Sequence, residues 1–203
     1  MAINSPYLVG IAGPSGAGKS TVAQNIVKCC PQVTHFKLDN FFKSLIEFPR
    51  YKEWPNREVP ENLLWQEFFT ALKALKNNQS VIVPTYSMAA DAPIGTHEVK
   101  PTPIILVEGY LLFLYEHISD LFDFRLFLDV PVNTQLERRL MRQPNMDIDY
   151  FQEVTVSVFK QYGEPTKNIV HKVIDGRKDE EALCSEIVEL MKRRVPELLS
   201  DIN

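Results

Sequence analysis

The sequence predicts a three-layer α/β domain built around a parallel sheet of about five strands. Short apolar runs alternate along the chain with amphipathic stretches, the order typical of βαβ units. The run at 104–107 is wholly apolar, as expected of a central parallel strand buried on both faces. A length of 203 residues, with 45% apolar and 24% charged residues, fits one globular domain over 1–203.

The predicted elements follow one another in a regular order. We expect strands at 7–12, 33–38, 81–83, 104–107, 124–130 and 170–174, and helices at 22–30, 64–75, 132–142, 148–162 and 180–194. The helix at 64–75 is indicated by apolar residues at i, i+4, i+7 and i+11, and Pro31 ends the helix before it. The segments 41–62 and 84–103 lack periodicity, and the sequence predicts irregular structure there.

A phosphate-binding motif directly follows the first predicted strand. Residues 13–20, GPSGAGKS, match G-x-x-x-x-G-K-[ST] in full and lead into a predicted helix, which is the context that a P-loop requires. Lys19 would place a cation against the β- and γ-phosphates, and Ser20 would offer its hydroxyl to Mg²⁺. The sequence therefore predicts that ATP and Mg²⁺ bind here. The candidate nucleotide-binding residues are Gly13, Ser15, Gly16, Ala17, Gly18, Lys19, Ser20 and Thr21.

Acidic residues end two of the predicted strands. In open parallel sheets, ligands bind beyond the carboxyl ends of the strands, so both acids are expected near the phosphates. Asp39 would accept or orient the proton of an attacking hydroxyl, although a polar turn with Asn40 is the alternative. Glu108 would hold Mg²⁺ or its water, with a purely structural role as the alternative. The candidate Mg²⁺ ligands are Ser20, Asp39 and Glu108.

Three arginines lie on the predicted helix 132–142. Arg139 and Arg142 are i, i+3 neighbours, so both guanidinium groups can reach the same polyanion. Arginines placed in this way neutralise the charge that develops on a transferring phosphoryl group. The alternative is a solvated basic face that also includes Arg138 and pairs with Glu137.

Composition narrows the classes of protein and of partner. The sequence lacks the N-K-x-D motif by which GTPases select guanine, which disfavours a GTPase. A net charge of −4 disfavours binding to a nucleic-acid backbone. No apolar run approaches the roughly 20 residues that cross a bilayer, so no membrane partner is expected. Three cysteines form no disulfide framework, and residues 1–8 lack the pattern of a secretory signal. We therefore expect a cytoplasmic protein with a small-molecule substrate; the sequence does not indicate its oligomeric state.

Four sequence blocks, in the right order, resemble the uridine kinase and nicotinamide riboside kinase group, which is related to phosphoribulokinase and bacterial pantothenate kinase. They are GPSGAGKST at 13–21, LDNFFK at 38–43, VEGYLLF at 107–113, and LDVP at 128–131 leading into LERRLMR at 136–142. EPTK at 164–167 looks like a late segment of uridine kinases. The resemblance implies a P-loop kinase with a helical lid at about 132–147 and an acceptor-binding insertion at about 41–62 and 84–103.

The resemblance also implies roles for individual residues. Asp39 matches the family's catalytic acid/base, and Arg139 and Arg142 match its lid arginines, so we take these three and Lys19 as the candidate catalytic residues. Glu58, which precedes Val59-Pro60, would hold a ribose diol. Tyr86 would lie near a nucleobase, or serve only to anchor a loop. The candidate acceptor-binding residues are Asp39, Phe41, Lys43, Glu58, Tyr86 and Arg139.

Departures from the family pattern fall on base recognition. Ser87, Met88 and Asp91 stand where uridine kinases have Asp, an aromatic residue and His, and Gln143 replaces an Asp. The expected function is ATP-dependent phosphorylation of the 5′-hydroxyl of a nucleoside or ribosyl compound, similar to that of a uridine/cytidine kinase. The open alternatives are a nicotinamide riboside kinase, a kinase of a non-nucleoside such as pantothenate, and a non-catalytic nucleotide-binding switch.

Overall fold

The computed structural model describes residues 5–198 of the chain. Residues 1–4, part of the segment considered for a secretory signal, and residues 199–203 lie outside the described residues. The strands are Tyr7–Ala12 (β1), Val33–Lys37 (β2), Arg50–Tyr51 (β3), Trp54–Pro55 (β4), Val81–Ser87 (β5), Ala92–Val99 (β6), Ile104–Glu108 (β7), Phe124–Asp129 (β8) and Lys172–Asp175 (β9). The α-helices are Lys19–Cys29 (α1), Trp65–Lys76 (α2), Glu116–Ser119 (α3), Val132–Arg142 (α4), Ile148–Tyr150 (α5), Val156–Val158 (α6) and Glu180–Arg194 (α7).

Five of these strands form the parallel sheet that the sequence predicts. Their order across the sheet is β2-β7-β1-β8-β9, and each neighbouring pair is parallel. β7 lies between β2 and β1, and all of its residues are buried. The wholly apolar run at 104–107 is therefore an inner strand, as expected, and the predicted fold class is confirmed.

Helices cover both faces of the sheet and bury two hydrophobic cores. On β1, Leu8 belongs to one core and Val9 to the other, because successive side chains of a strand point to opposite faces. Phe68 of α2 packs in the first core, and Ile26 of α1 packs in the second. Three layers result. In the part of the chain that the structure describes, no helix is long and apolar enough to cross a membrane.

The prediction of irregular structure at 84–103 is wrong for most of that segment. β5 and β6 pair as an antiparallel hairpin outside the parallel sheet, so the brief strand predicted at 81–83 is the start of this hairpin. Val83 and Val99 anchor the hairpin in the core, whereas most of β6 is exposed. An exposed strand lacks the apolar alternation by which sequence reasoning detects strands.

The segment 41–62 contains only short elements, in keeping with its predicted irregularity. β3 and β4 form a two-residue hairpin. Single 3₁₀ turns at Leu45–Glu47 and Pro60–Asn62 lie on either side of it. The isolated bridge between Phe42 and Leu63 holds the two ends of the segment together.

The helix predicted at 148–162 is present as a continuous helical run, but its turns are not uniform. π-helical turns at Phe151–Thr155 and Phe159–Gly163 follow α5 and α6, respectively. A π-helical turn closes an i→i+5 hydrogen bond and is frequent at functional sites. Amphipathic spacing alone does not distinguish such a turn from an α-helical one, so the π-helical turns could not be predicted from the residue pattern.

Candidate active site

The P-loop connects β1 to α1 in a backbone conformation that depends on glycine. Gly13 has φ 147° and Gly16 has φ 82°, both outside the range favoured by other residues. A Cβ atom on Gly13 would lie 2.4 Å from the carbonyl oxygen of Leu128, and one on Gly16 would lie 3.1 Å from that of Gln135. At these two glycines the backbone of the loop therefore packs directly against the neighbouring backbone. The N–H groups of the loop and the N-terminus of α1 are suited to binding an anion.

Lys19 lies at the centre of this loop. Its Nζ donates hydrogen bonds to the carbonyl oxygens of Gly13 at 2.9 Å and Pro14 at 3.0 Å. Burial lowers the pKa of Lys19, although the charges of Glu108 and Asp39 oppose this shift. The side chain is thus held over the loop, with two acidic groups close enough to affect its charge.

Asp39 and Glu108 meet at the carboxyl ends of two neighbouring strands. β2 and β7 pair with Lys37 opposite Glu108, so Asp39, two residues further on, lies at the same edge of the sheet. The half-buried Asp39 is held in the 3₁₀ turn Leu38–Phe41. Burial, reinforced by the charge of Glu108, raises the pKa of Asp39 to about 7, although Lys19 opposes the shift. A carboxyl group with such a pKa can exchange a proton near neutral pH.

Glu108 stands beside the hydroxyl of Ser20. Ser20 Oγ donates to Glu108 Oε1 at 3.0 Å, and His35 Nε2 lies 3.4 Å from the same oxygen. Burial would raise the pKa of Glu108, but His35, Lys19 and Ser20 together lower it, so the carboxyl group is ionised. Within residues 5–198, no cluster of three or more His, Cys, Asp or Glu side chains forms a metal site by itself. Mg²⁺ at Ser20 and Glu108 would therefore need oxygen ligands from a nucleotide or water.

Helix α4 brings its arginines above the P-loop. Arg138 Nη1 donates to the carbonyl oxygen of Gly16 at 3.1 Å, so the arginine without a predicted catalytic role is the one that touches the loop. Arg139 Nη1 lies 3.4 Å from Glu58 Oε1, and its Nε is buried without a hydrogen-bond partner among the described residues. Arg142 is exposed, and its charge lowers the pKa of Lys19.

The candidate acceptor-binding residues are only partly brought together. Glu58 and Tyr86 line the same cavity as Asp39, and the Tyr86 ring lies 5.4 Å from the ring of Phe42. Phe41 instead packs in the core, because the 3₁₀ turn after β2 directs it inward. Neither Phe41 nor Lys43 lines the cavity, whereas Phe42 does.

One cavity of about 960 Å³ is lined by Lys19, Asp39, Glu108, Glu58 and the three arginines of α4. P-loop residues lie at one part of its wall, and Glu58 and the aromatic residues at another. The P-loop residues that line it are Ser15, Gly16, Gly18, Lys19, Ser20 and Thr21, whereas Ala17 packs in the second core. Its volume lies in the range of small-molecule sites, which is about 300–1,000 Å³. The wall also includes the segment 177–180 before and within α7, which no sequence motif indicated.

An ion pair that the motifs did not reveal lies at the aromatic side of this cavity. Arg57 Nη2 donates to Asp91 Oδ2 at 2.8 Å, and a second contact joins Nη1 to Oδ1. The backbone N–H of Arg57 donates to the hydroxyl of Tyr150 at 2.8 Å. The pair therefore links the segment 41–62 to the β5–β6 hairpin, and the hydrogen bond links it to the helical run after α4. Arg57 is adjacent to Glu58 in sequence, and Asp91 is one of the departures from the family pattern, but no motif joined the two residues.

A parallel sheet with a phosphate-binding loop after β1 and acids at the carboxyl ends of two neighbouring strands defines a P-loop nucleotide-binding fold. The chain belongs to the Phosphoribulokinase / Uridine kinase family, whose sequence model matches residues 8–177. Membership of this family makes the chain an enzyme that transfers a phosphoryl group to an alcohol acceptor. The resemblance seen in the four sequence blocks is confirmed.

Individual relatives agree with this assignment. A uridine kinase of Borrelia garinii subsp. bavariensis is 30% identical over 185 residues, which is 87% of this chain and 90% of the relative. A uridine kinase of Schizosaccharomyces pombe is 36% identical over 165 residues, which is 78% of this chain and 36% of the relative. A solved structure described as a possible uridine kinase from Bacillus stearothermophilus has a TM-score of 0.61 at 18% identity, covering 86% of this chain and 91% of that one. At that identity the structural likeness shows the fold alone.

Proposed function

We propose that this enzyme transfers the γ-phosphoryl group of ATP to the 5′-hydroxyl of a nucleoside or another ribosyl compound. The observation that carries the proposal is one cavity that is lined by P-loop residues, Asp39 and Glu58. The uridine kinase relatives support a nucleoside as the class of acceptor. The proposal includes α4 and the following turn, to residue 147, as a lid, and 41–62 with 84–103 as the acceptor-binding region. A cytoplasmic location remains a prediction from the sequence.

The chain's own residues fit a triphosphate with Mg²⁺. Gly13 has no room for a Cβ atom beside the Leu128 carbonyl oxygen, so the loop follows a backbone path that requires glycine and that suits N–H groups directed at an anion. When bound, ATP would supply the phosphoryl group and Mg²⁺ would neutralise its charge. Residues 13 and 15–21 would hold the phosphates, with Lys19 as the cation. Ser20 and Glu108 would hold the metal ion directly or through water, with Asp39 as a third candidate ligand.

Asp39 is proposed to act on the proton of the acceptor hydroxyl. A general base works best when its pKa lies near the working pH, and the pKa of Asp39 is raised to about 7. The oxygen that loses this proton then attacks the phosphorus atom as the bond to the leaving oxygen breaks. Arg139 and Arg142 are proposed to stabilise the charge on the transferring group.

Glu58 is proposed to bind two neighbouring hydroxyls of the acceptor. The carboxyl oxygens of Glu58 can accept hydrogen bonds from hydroxyl donors. The rings of Phe42 and Tyr86 offer apolar surface for a planar base in the same cavity. The Arg57–Asp91 ion pair lies on the wall where the sequence departs from uridine kinases. It is the observation that favours a second candidate function, phosphorylation of a ribosyl compound with another base, such as nicotinamide riboside.

A panel assay tests the proposal. Purified protein with Mg²⁺ and ATP is given uridine, cytidine, nicotinamide riboside, pantothenate or no acceptor, and ADP release is measured. We expect ADP release that depends on a ribosyl acceptor and that is lost in Asp39→Asn. Release only with pantothenate would transfer the assignment to a non-nucleoside kinase. Nucleotide binding without acceptor-dependent release would indicate a switch.

A further inference from the structure

The helical run after α4 contributes a residue that no motif indicated. Thr155 ends the π-helical turn Phe151–Thr155 and is 2% exposed. Its Oγ1 donates a hydrogen bond to Glu58 Oε1 at 2.9 Å and accepts one from Arg139 Nη1 at 3.3 Å. One buried hydroxyl therefore joins the candidate diol-binding acid to a candidate lid arginine.

The hydrogen bonds of this cluster leave one oxygen of Glu58 for a ligand. Glu58 Oε1 receives both Thr155 and Arg139, while Oε2 receives no hydrogen bond from any described residue. The Nε of Arg139 is buried and has no partner among the described residues. Glu58 lines the cavity, so its unused acceptor Oε2 indicates where a ligand hydroxyl can complete the network.

Glu58 is fixed at both of its ends. The hydroxyl of Tyr110 donates to the backbone carbonyl oxygen of Glu58 at 2.7 Å, which holds the peptide unit in place. Thr155 holds the carboxyl group. The side chains of Glu58 and Arg139 are only 12% and 11% exposed. Their contact therefore depends on further hydrogen bonds to offset the free-energy cost of removing the two groups from water.

The same π-helical turn also fixes the guanidinium group of Arg139. The Cζ atom of Arg139 lies 5.5 Å from the centre of the Phe151 ring, in a cation–π arrangement. Phe151 and Thr155, the first and last residues of the turn, thus contact one arginine. Such turns are frequent at functional sites, and this one ends on the residue that binds Glu58.

We propose that Thr155 is a positioning residue for acceptor recognition. It turns the carboxyl group of Glu58 so that Oε2 accepts hydrogen bonds from two adjacent hydroxyls of the acceptor, and it keeps Arg139 within reach of the same site. The proposal rests on the proposed function and deepens it, because it assigns to Thr155 the selection of acceptors that carry both hydroxyls. Thr155 itself does not touch the reacting atoms.

The test compares Thr155→Val, which keeps the shape but loses the hydroxyl, with Thr155→Ser, which keeps the hydroxyl. Steady-state kinetics are measured on the full chain with uridine and with 2′-deoxyuridine, and with ATP varied separately. We expect Thr155→Val to raise the KM for uridine about tenfold, the loss typical of a hydrogen bond to a charged group, with less change in the KM for ATP. The preference for uridine over 2′-deoxyuridine should shrink in Thr155→Val and persist in Thr155→Ser.

Other results would overturn the inference. If wild type phosphorylates uridine and Thr155→Val keeps its KM and its preference over 2′-deoxyuridine, Thr155 has no positioning role and the proposed function stands. Equal losses towards ATP and both acceptors, with a lowered Tm, would assign a purely structural role. Thr155→Ala replaces Thr155→Val if the latter does not fold. A wild type that phosphorylates neither acceptor, nor any other ribosyl compound, would remove both the inference and the proposed function.

Discussion

Replacing Asp39 by asparagine should remove activity and yet stabilise the folded protein at neutral to alkaline pH. Burial and the charge of Glu108 raise the pKa of Asp39 from 3.8 to about 7, so the folded state disfavours the carboxylate. In the unfolded chain the group ionises near its ordinary pKa. The folded state is therefore penalised progressively as the pH rises from about 4 to about 7, and the penalty is complete above that range. Asparagine has no charge, so the Asp39→Asn variant does not carry this penalty.

The size of the effect follows from the shift. A difference of roughly three pKa units sets an upper limit of about 4 kcal/mol on the gain at pH 8. Because Asp39 is half-buried and lies near Lys19, we expect about 1–2 kcal/mol. For a chain of this length that corresponds to a Tm increase of about 3–6 °C at pH 8, with almost none at pH 4. The kcat should fall by about a hundredfold or more, because a general base typically contributes at least that factor.

Thermal unfolding at pH 4 and pH 8 without nucleotide, together with acceptor-dependent ADP release, measures both effects. Asp120→Asn is the matched control, because Asp120 follows α3 with an exposed side chain that is 3.9 Å from Arg125 Nη1. Asp120→Asn should change neither the Tm nor the rate of acceptor-dependent ADP release. An Asp39→Asn variant with near-normal turnover would refute the base assignment, and one that is less stable at pH 8 would refute the electrostatic reasoning.

Three further substitutions probe other parts of the cavity. Gly13→Ala should abolish ATP binding in a nucleotide titration and lower the free energy of unfolding by about 2 kcal/mol or more, because its Cβ would lie 2.4 Å from the Leu128 carbonyl oxygen. Unchanged ATP binding would contradict the assignment of this loop as the phosphate-binding site. Ser20→Ala should raise the Mg²⁺ concentration for half-maximal rate about tenfold while Ser20→Thr keeps it, and equal Mg²⁺ dependence would exclude a ligand role. Glu58→Gln should raise the KM for a ribosyl acceptor about tenfold and leave the KM for ATP nearly unchanged, whereas the reverse pattern would place Glu58 at the nucleotide.

The parts of the fold that were predictable are those encoded locally. β1, α4 and α7 begin and end at their predicted limits, because apolar periodicity and helix boundaries are properties of a short stretch of chain. The β5–β6 hairpin was missed since its outer strand is exposed and gains its structure from pairing. The π-helical turns were missed for a related reason: the residue pattern is helical whichever hydrogen bonds close the turn.

The candidate site divides in the same way. Lys19 and Ser20 could be predicted because a contiguous motif contains them. Thr155 could not, because its contact with Glu58 joins residues 97 positions apart and depends on how a helix packs against a loop. His35 likewise meets Glu108 only through strand pairing. Phe41 was expected at the acceptor, but a single 3₁₀ turn directs it into the core and leaves Phe42 at the cavity.

Identifying the product of the reaction would decide whether the cavity works as proposed. The protein is incubated with Mg²⁺, ATP and uridine or another ribosyl acceptor, and the products are separated and analysed by ³¹P NMR and mass spectrometry. The proposed function predicts one acceptor 5′-monophosphate for each ADP formed, with no ADP above background when the acceptor is omitted. Inorganic phosphate in place of the monophosphate, or phosphate attached at another hydroxyl, would contradict the proposed geometry of Asp39 and Glu58.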